Sequence, residues 1–249
     1  MSERPVTRIA QAYPDRIEVR GRDLASDVMG RLTFTDYFHL LLTGREPTEE
    51  QGFFLDLLLV AIAEHGLMPS NLAARMTFAA DPESLQGAVA AGILGAGPVL
   101  LGTSAECARL LVAARESATP LGEVAREIHE DGGKVPGFGH PVHRPLDPRA
   151  ERILELADAR GVSGAYVELA RALRETVAEE WGRPLTMNVS LPIAAVMLDL
   201  GYSVAEVETI SILARTASLL AQLLEEEEQP LGLAAAARAE EAIEYRPPE

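Results

Sequence analysis

Apolar residues recur along most of the chain at the three- to four-residue spacing of amphipathic helices. The predicted helices cover residues 33–43, 48–65, 69–79, 82–95, 104–116, 122–130, 148–160, 164–181, 190–200 and 203–224, with a further exposed helix at 234–241. Gly44 and Gly97-Pro98 end two of these patterns, as helix-breaking residues do. No strand-like alternation runs longer than four residues, so the pattern predicts an all-α fold.

The segments outside these helices carry weaker signals. Residues 13–30 are polar and irregular, and Ile17 and Val19 alternate as in a short extended piece. The run Glu225–Glu228 is expected to be a solvated acidic end of the long helix before it. The tail from Tyr245 to Pro248 is expected to be extended.

Composition narrows the classes of function. The chain of 249 residues is 47% hydrophobic but only 5% aromatic, which favours a helical interior of small aliphatic side chains. Its net charge is −16 and its basic residues form no patch, which argues against nucleic acid and anionic membranes as partners. No apolar run of about 18 residues lacks a charge or helix breaker, so no membrane span is expected. The single Cys107 and the polar N-terminus indicate a core thiol and a cytoplasmic protein.

The segment Gly132–Arg149 departs most clearly from the helical pattern. Its glycines and prolines forbid a helix and allow the backbone to approach a ligand closely. On this rigid loop lie His140, His143, Arg144 and Arg149, before the helix-starting sequence Asp147-Pro148. Such a cluster on a loop predicts a ligand site, and a merely structural connector is the alternative.

Two histidines of this loop raise the question of a metal. His140 and His143 have a spacing that could hold one, but the nearby sequence offers no third ligand. We therefore expect no metal, and we expect His143 to face solvent or to pack on the loop.

The sequence of the loop resembles a known signature. Val135-Pro-Gly-Phe-Gly-His-Pro-Val-His-Arg144, followed by Asp147-Pro-Arg149, is similar to the signature of the citrate synthase superfamily, which includes citryl-CoA lyases and the citryl-CoA-cleaving module of ATP-citrate lyase. Similar matches are Ile17–Arg22 with Phe34 and Leu40–Pro47, Glu64-His65-Gly66 with Pro69-Ser70, Met187-Asn188-Val189, and Ala214–Ala217 with Ala221–Leu223. The distance from Pro47 to His65 is short, as in small stand-alone citryl-CoA lyases.

The resemblance implies an architecture. A large helical domain would comprise residues 1–130 and 185–249, and a small helical domain with the substrate loop would comprise residues 131–184. The family also implies a homodimer whose active site lies at the subunit interface.

Roles in binding and proton transfer follow from the resemblance alone. His140 would hydrogen-bond the citrate hydroxyl, or the oxaloacetate carbonyl, and move its proton. Arg149, Arg215 and Arg246 would bind carboxylates, with Arg246 coming from the neighbouring subunit, and His65 would also contact the dicarboxylate; a helix cap is the alternative for His65. Coenzyme A, as acetyl-CoA or citryl-CoA, would be bound by Val135, Pro136, Gly137, Phe138 and Gly139, with Arg144 and Arg183 on its phosphates.

Two positions depart from the family pattern. Leu101 lies where the family has a histidine that steadies the thioester enolate, and Ser190 lies where it has the aspartate that takes the acetyl proton. A serine hydroxyl without a partner is not a base near neutral pH. Ordinary citrate synthesis is therefore not expected unless other residues substitute.

Three functions remain open from the sequence. The first is a lyase or ligase that cleaves or forms a carbon–carbon bond in a β-hydroxyacyl-CoA such as citryl-CoA. The second is a catalytically reduced relative that binds a CoA ester or a dicarboxylate as a regulator or as a hetero-oligomer subunit. The third is a scaffold for protein interaction, which the joint presence of His140, Arg149 and Arg215 argues against.

Overall fold

The computed structural model describes residues 5–117 and 119–248, apart from the side chains of Pro98 and Val99. The first four residues of the polar N-terminal segment therefore lie outside the described residues, as do the side chains of Pro98 and Val99, which precede Leu101. The chain divides into two compact units, Met1–Leu57 and Leu58–Glu249.

The first unit contains a small antiparallel sheet, which the sequence analysis did not predict as a sheet. Its strands are β1 (Ala10–Ala12), β2 (Ile17–Val19) and β3 (Arg22–Asp23), in the order β1-β2-β3. A π-helical turn, Leu24–Val28, follows. The predicted extended piece at Ile17–Val19 is confirmed, but the surrounding residues are more regular than expected. Most of these side chains are exposed, so main-chain pairing forms the strands without the apolar alternation that would have revealed them.

The helix that follows begins and ends where local signals place it. In α1 (Phe34–Thr43), the Thr33 hydroxyl accepts a hydrogen bond from the Asp36 amide, and the Asp36 carboxylate accepts one from the Thr33 amide. This reciprocal cap satisfies two otherwise unpaired amides. Gly44, at φ 75°, ends the helix in a left-handed conformation that glycine adopts without strain. The next helix, α2 (Glu49–Ala63), crosses from the first unit into the second.

All the named elements that the structure describes in the second unit are helices, as predicted. Its helices are α3 (Pro69–Ala80), α4 (Leu85–Leu101), α5 (Thr103–Glu116), α6 (Leu121–Glu130), α7 (Pro148–Ala159), α8 (Ala165–Glu180), α9 (Ser190–Asp199), α10 (Val204–Glu228) and α11 (Gly232–Glu241). The chain between α6 and α7 is the Gly/Pro-rich loop, which has no helix. The predicted all-α class is therefore confirmed for the bulk of the chain, with the small N-terminal sheet as the exception.

Helix α9 lies at the centre of the second unit. Residues 191–198 are all buried, and α9 packs against α5, α7, α8 and α10. Burying a Leu, Ile, Val or Met side chain contributes about 1.5–3 kcal/mol, so the packing of α9 fixes its position firmly. Its first residue is Ser190, which this packing therefore holds in a defined place at the helix N-terminus.

Helix α4 is interrupted where the sequence predicted a break. Gly97 has φ 53° and ψ −169°, a conformation outside the helical region that glycine tolerates. The segment after this break ends at Leu101, and α5 begins at Thr103. Leu101 therefore lies at the junction of two helices.

Helix α10 is long and apolar enough to cross a membrane by length and composition alone. A buried core helix meets the same criterion, and α10 packs against α3, α4, α5 and α9. It also carries Arg215 near its middle. Its packing and this charge are those of a core helix of the second unit.

The acidic end of α10 differs from the prediction. Glu226 is only 4% exposed, and its carboxylate accepts a hydrogen bond from Nη1 of the fully buried Arg75 at 2.7 Å. The neighbouring Glu225 also pairs with Arg75, and the amides of Leu231 and Gly232 donate to Glu226. The expectation of a solvated acidic run is confirmed for Glu225, Glu227 and Glu228, which are exposed, but was wrong for Glu226, because a buried arginine on α3 requires a carboxylate that the local sequence does not reveal.

Candidate active site

One cavity in the second unit, of about 230 Å³, brings together most of the residues predicted for the dicarboxylate and the reacting carbon atoms. Its lining includes His65, Leu101, His140, Arg149, Ser190 and Arg215. These residues come from the end of α2, the end of α4, the loop, and the starts or interiors of α7, α9 and α10. Residues separated by up to 150 positions in sequence are thus neighbours around one space.

The loop is held against the segment before α9 by main-chain hydrogen bonds. The Asn188 amide donates to the Gly137 carbonyl at 2.8 Å, and the Gly139 amide donates to the Thr186 carbonyl at 2.8 Å. Gly137 has φ 84°, and a Cβ atom there would lie 2.6 Å from the Cβ of Leu191. Only glycine allows this approach, which places His140 beside the N-terminus of α9.

The protonation state of His140 follows from its hydrogen bonds. Its Nδ1 accepts from the amides of Val142, at 3.1 Å, and His143, at 2.8 Å. These two donors at Nδ1 place the hydrogen of neutral His140 on Nε2. The 3.4 Å approach of Nη2 of Arg149 to Nε2 is then not a hydrogen bond, and Nε2 is left to donate to a ligand oxygen. Burial, followed by the neighbouring His143, lowers the pKa of His140 below its ordinary value. At neutral pH it is a neutral hydrogen-bond donor, a form suited to a hydroxyl or carbonyl oxygen.

Asp147 fixes the position of Arg149, which is a function beyond the helix cap that the sequence predicted. The Asp147 side chain is fully buried and accepts from Nε of Arg149 at 3.0 Å and from Nη2 at 2.8 Å. It also accepts from the Val189 amide at 3.1 Å, next to Ser190. Burial by itself raises the pKa of Asp147, but the hydrogen bonds and charge of Arg149 outweigh it and lower this pKa overall.

The buried Asn71 holds the side chain of Arg215 in place. Nη1 of Arg215 donates to Oδ1 of Asn71 at 3.0 Å, and the Asn71 side-chain amide donates to the Gly66 carbonyl at 2.8 Å. Burial lowers the pKa of Arg215, and the carboxylate of Glu64 opposes this effect. A guanidinium remains charged at neutral pH even so. Arg149 and Arg215 thus present two oriented cations to the same cavity, as binding of a dicarboxylate requires.

His143 packs on the loop, which is one of the two positions that the sequence predicted, but it also meets a histidine from a distant segment. It is half-buried, its ring stacks on that of His140 with centroids 4.3 Å apart, and its Nε2 lies 3.2 Å from Nε2 of His65. His65 is 78 residues away in sequence, so local reasoning could not have joined the two. The reason given against a metal, that no third ligand lies nearby, was therefore wrong.

The three histidines nevertheless do not fit a metal. Their candidate ligand atoms all lie within 4.8 Å of one another. A histidine that binds a metal through one nitrogen normally donates a hydrogen bond from the other. Nδ1 of His140 instead accepts from two amides, which leaves the hydrogen on Nε2 and no free lone pair. Only His65 and His143 could then act as ligands, and two ligands do not make a closed site.

Part of the cavity lining is apolar. Ile62, Met68, Leu100 and Leu101 line it, and the small polar side chains of Ser104 and Ser211 are also present. Sequence reasoning had singled out Leu101 alone among these residues. No aspartate or glutamate lines the cavity among the residues that the structure describes, so the base expected by analogy has no carboxylate substitute there.

The remaining predicted site residues do not line this cavity. Arg144, Arg183 and Arg246 are exposed, and Arg246 pairs with the nearby Glu244 at 2.9 Å. Along the loop, Val135 is buried, whereas Pro136 and Phe138 are half-buried. The contacts of residues 135–139, Arg144 and Arg183 with coenzyme A, and that of Arg246 with a carboxylate, stay predictions.

The fold and site define a helical protein of the citrate synthase type. The family described as "Citrate synthase, C-terminal domain" matches residues 6–234, and the chain belongs to this family. Among curated relatives, citrate synthase of Haloferax volcanii is 29% identical over 195 residues, covering 77% of this chain and 51% of that protein. The citrate/2-methylcitrate synthase of Bacillus subtilis is 27% identical, covering 78% and 53%. The chain thus spans about half the length of the curated relatives it matches.

Solved structures add a relative of similar size. Citryl-CoA lyase from Hydrogenobacter thermophilus superposes with a TM-score of 0.83 at 27% identity, covering 98% of this chain and 96% of that one. ATP citrate lyase from Methanothrix soehngenii, solved in complex with citrate and coenzyme A, gives a TM-score of 0.82 at 20% identity, covering 100% of this chain and 42% of that one. The second likeness establishes the fold alone.

Proposed function

We propose that the chain binds a β-hydroxyacyl-CoA of the citryl-CoA type and cleaves or forms its carbon–carbon bond, with acetyl-CoA and oxaloacetate as the cleavage products. The observation that carries this proposal is the convergence of Arg149, Arg215 and His140 on one cavity. The two guanidinium groups bind carboxylates, and Nε2–H of His140 donates to the oxygen on the reacting carbon. The superposition over nearly the full length of a citryl-CoA lyase supports the same reaction.

The two partial reactions place different demands on the site. In cleavage the hydroxyl loses its proton as the carbonyl forms, and the leaving acetyl carbon takes one up. His140 donates from Nε2 to this oxygen as the carbonyl forms, and a water molecule takes the hydroxyl proton, because neither ring nitrogen of His140 has a free lone pair. Ser190, Thr103 or a water molecule would supply the second proton, since all the described carboxylates lie outside the cavity lining. Leu101 gives no hydrogen bond to the thioester oxygen, so we expect slow turnover.

Coenzyme A and a second subunit belong to the same proposal. The loop 135–139, with the exposed Arg144 and Arg183, would bind the nucleotide part of coenzyme A. Arg246 would complete the carboxylate site of the neighbouring subunit in a symmetric homodimer. Its position outside the cavity of its own chain is compatible with this role.

A second candidate is a catalytically reduced relative that binds the same ligands without turning them over. The apolar wall at Leu101 and the lack of a carboxylate among the described lining residues favour it. A ligand-binding role of either kind accounts for the paired arginines, which a scaffold for protein interaction would not need.

Turnover of citryl-CoA separates the two candidates. Purified protein would be incubated with citryl-CoA, and oxaloacetate would be followed by its reduction in a coupled assay. We expect formation of oxaloacetate by the wild type, a loss of about 10–100-fold in Arg215→Gln because a charge-assisted hydrogen bond is lost, and no change in the exposed control Arg171→Gln. Binding of citryl-CoA without any product would favour the second candidate.

A further inference from the structure

The proposed reaction gives no role to His143, although this residue contacts both His140 and His65. Its ring stacks on His140 with an interplanar angle of 28°, and its amide donates to Nδ1 of His140. Its Nε2 lies 3.2 Å from Nε2 of His65, which lines the cavity. From this geometry we infer that His65 and His143 form a proton-sharing pair that takes up one proton from solvent when a polycarboxylate binds. This inference rests on the proposed function, since it requires the carboxylate ligand.

The number of protons follows from the contact between the two Nε2 atoms. A hydrogen bond of 3.2 Å requires that one nitrogen donates and the other accepts. Two neutral rings satisfy this condition. One further proton, added to Nδ1 of the donor ring, leaves the hydrogen bond intact. A second would place two hydrogens between the same pair of nitrogens. The pair can therefore gain one proton and no more while its geometry is kept.

His140 cannot be the group that takes up this proton. Its Nδ1 already accepts from the amides of Val142 and His143, and its Nε2 carries the hydrogen. Protonating Nδ1 would set a third N–H group against those two donors and break both hydrogen bonds. The added proton consequently goes to the pair and leaves His140 as the neutral donor that the reaction needs.

The charges that face the pair determine when the proton is taken up. Arg149 and Arg215 are positive, while Asp147 is paired with Arg149. The carboxylate of Glu64 accepts from the amides of His65 and Gly66, and from Ser218 and Gln222. Burial and then Arg149 lower the pKa of His65, so His65 is neutral in the free protein at neutral pH. Two carboxylates from a ligand make the local charge negative and favour the protonated pair.

The sign of the pH dependence follows directly. Because the complex holds one proton more than the free protein, the affinity rises as the pH falls from the pKa of the pair in the complex to its lower pKa in the free protein. The limit for one proton is a change of about tenfold in the dissociation constant per pH unit. Malate is the probe, since both of its carboxyl groups are ionised across this range and it resembles oxaloacetate.

Calorimetric titration with malate in two buffers of different protonation enthalpy measures the uptake. At about pH 7.5, above the unperturbed histidine pKa, we expect roughly half to one proton per malate bound by the wild type. His143→Gln should still bind malate, because the glutamine amide can replace the hydrogen bond at Nε2, but should take up less than the wild type, because His65 loses the ring that shares its proton. His129→Gln is the matched control, because His129 stacks on Trp181 with centroids 4.1 Å apart and does not line the cavity.

The outcomes distinguish this inference from the proposed function. If the wild type binds malate without proton uptake, the inference of a proton-sharing pair is overturned and the proposed function is left intact. Uptake that is undiminished in His143→Gln would assign the proton to another group and would also overturn the inference of a shared proton. Failure of malate to bind the wild type at any pH would overturn the carboxylate site, and with it both proposals. Thermal unfolding of each variant verifies that it is folded.

Discussion

Replacing Asp147 by asparagine should both weaken the binding of malate and lower the free energy of unfolding. The fully buried carboxylate accepts from the amide of Arg149, from its Nε and Nη2 atoms, and from the Val189 amide. Asparagine keeps the shape but loses the charge, and its amide group has no acceptor among these four donors. Arg149 would then be a partly buried cation without its carboxylate.

The loss of unfolding free energy depends on how far Arg149 is buried. Breaking a buried ion pair by removing one partner costs about 3–5 kcal/mol of unfolding free energy. The Arg149 side chain is 22% exposed, so water recovers part of the loss and the lower end, about 3 kcal/mol, applies. Because Asp147 also orients Arg149 towards the cavity, malate binding should weaken by about tenfold or more, equivalent to about 1.4 kcal/mol.

Urea unfolding and malate titration measure the two effects, with Asp158→Asn as the control. Asp158 pairs with Arg171 at 2.7 Å, but the two side chains are 52% and 40% exposed. Such a surface pair contributes less than about 1 kcal/mol. If Asp147→Asn were no less stable than Asp158→Asn, Asp147 would not fix the loop in the way we describe.

The pH dependence of the same variant provides an independent measurement. The pKa of Asp147 is lowered in the folded protein, so its contribution to stability is present above the unfolded pKa and is lost as the pH falls through the folded one. The difference between wild type and Asp147→Asn should therefore shrink below about pH 4. A constant difference down to strongly acidic pH would contradict the assignment of the effect to the carboxylate charge.

Three further predictions concern the chemistry and assembly. Ser190→Asp should increase the exchange of acetyl-CoA methyl protons by about 10²–10⁴-fold through general-base catalysis, and Leu101→His should increase it further. Deuterium wash-in at the methyl group measures this exchange. Folded variants that bind acetyl-CoA without exchange would contradict the prediction. Coenzyme A should raise the melting temperature of the wild type by linkage but not that of Arg144→Glu, and an unchanged wild-type melting curve would argue against the site. Light scattering should detect a dimer, whereas a monomer at working concentration would count against the shared role of Arg246.

Features of the fold could be predicted where the residues that determine them are close together in sequence. The helix α1 could be predicted because Thr33, Asp36 and Gly44 act on their own backbone neighbours. The break at Gly97 and the loop before α7 were predictable for the same reason. The family resemblance also singled out His65, His140, Arg149 and Arg215, and these four residues line one cavity.

The interactions that the sequence did not reveal join distant segments. The small sheet depends on main-chain pairing between strands, and its mostly exposed side chains leave no apolar alternation to detect. Glu226 is buried because Arg75, 151 residues earlier, needs a carboxylate inside the second unit. A run of four glutamates looks solvated until the partner of one of them is known.

The sequence by itself determined the helical class, the family and the chemical types available at the site. Only the tertiary structure decided that His143 meets His65, that Asp147 holds both Arg149 and Val189, and that the described cavity lining contains no carboxylate. The physical reason is that local signals act through the backbone within about one helical turn. Proton sharing and ion pairing depend instead on atoms within hydrogen-bond distance, and packing alone brings those atoms together.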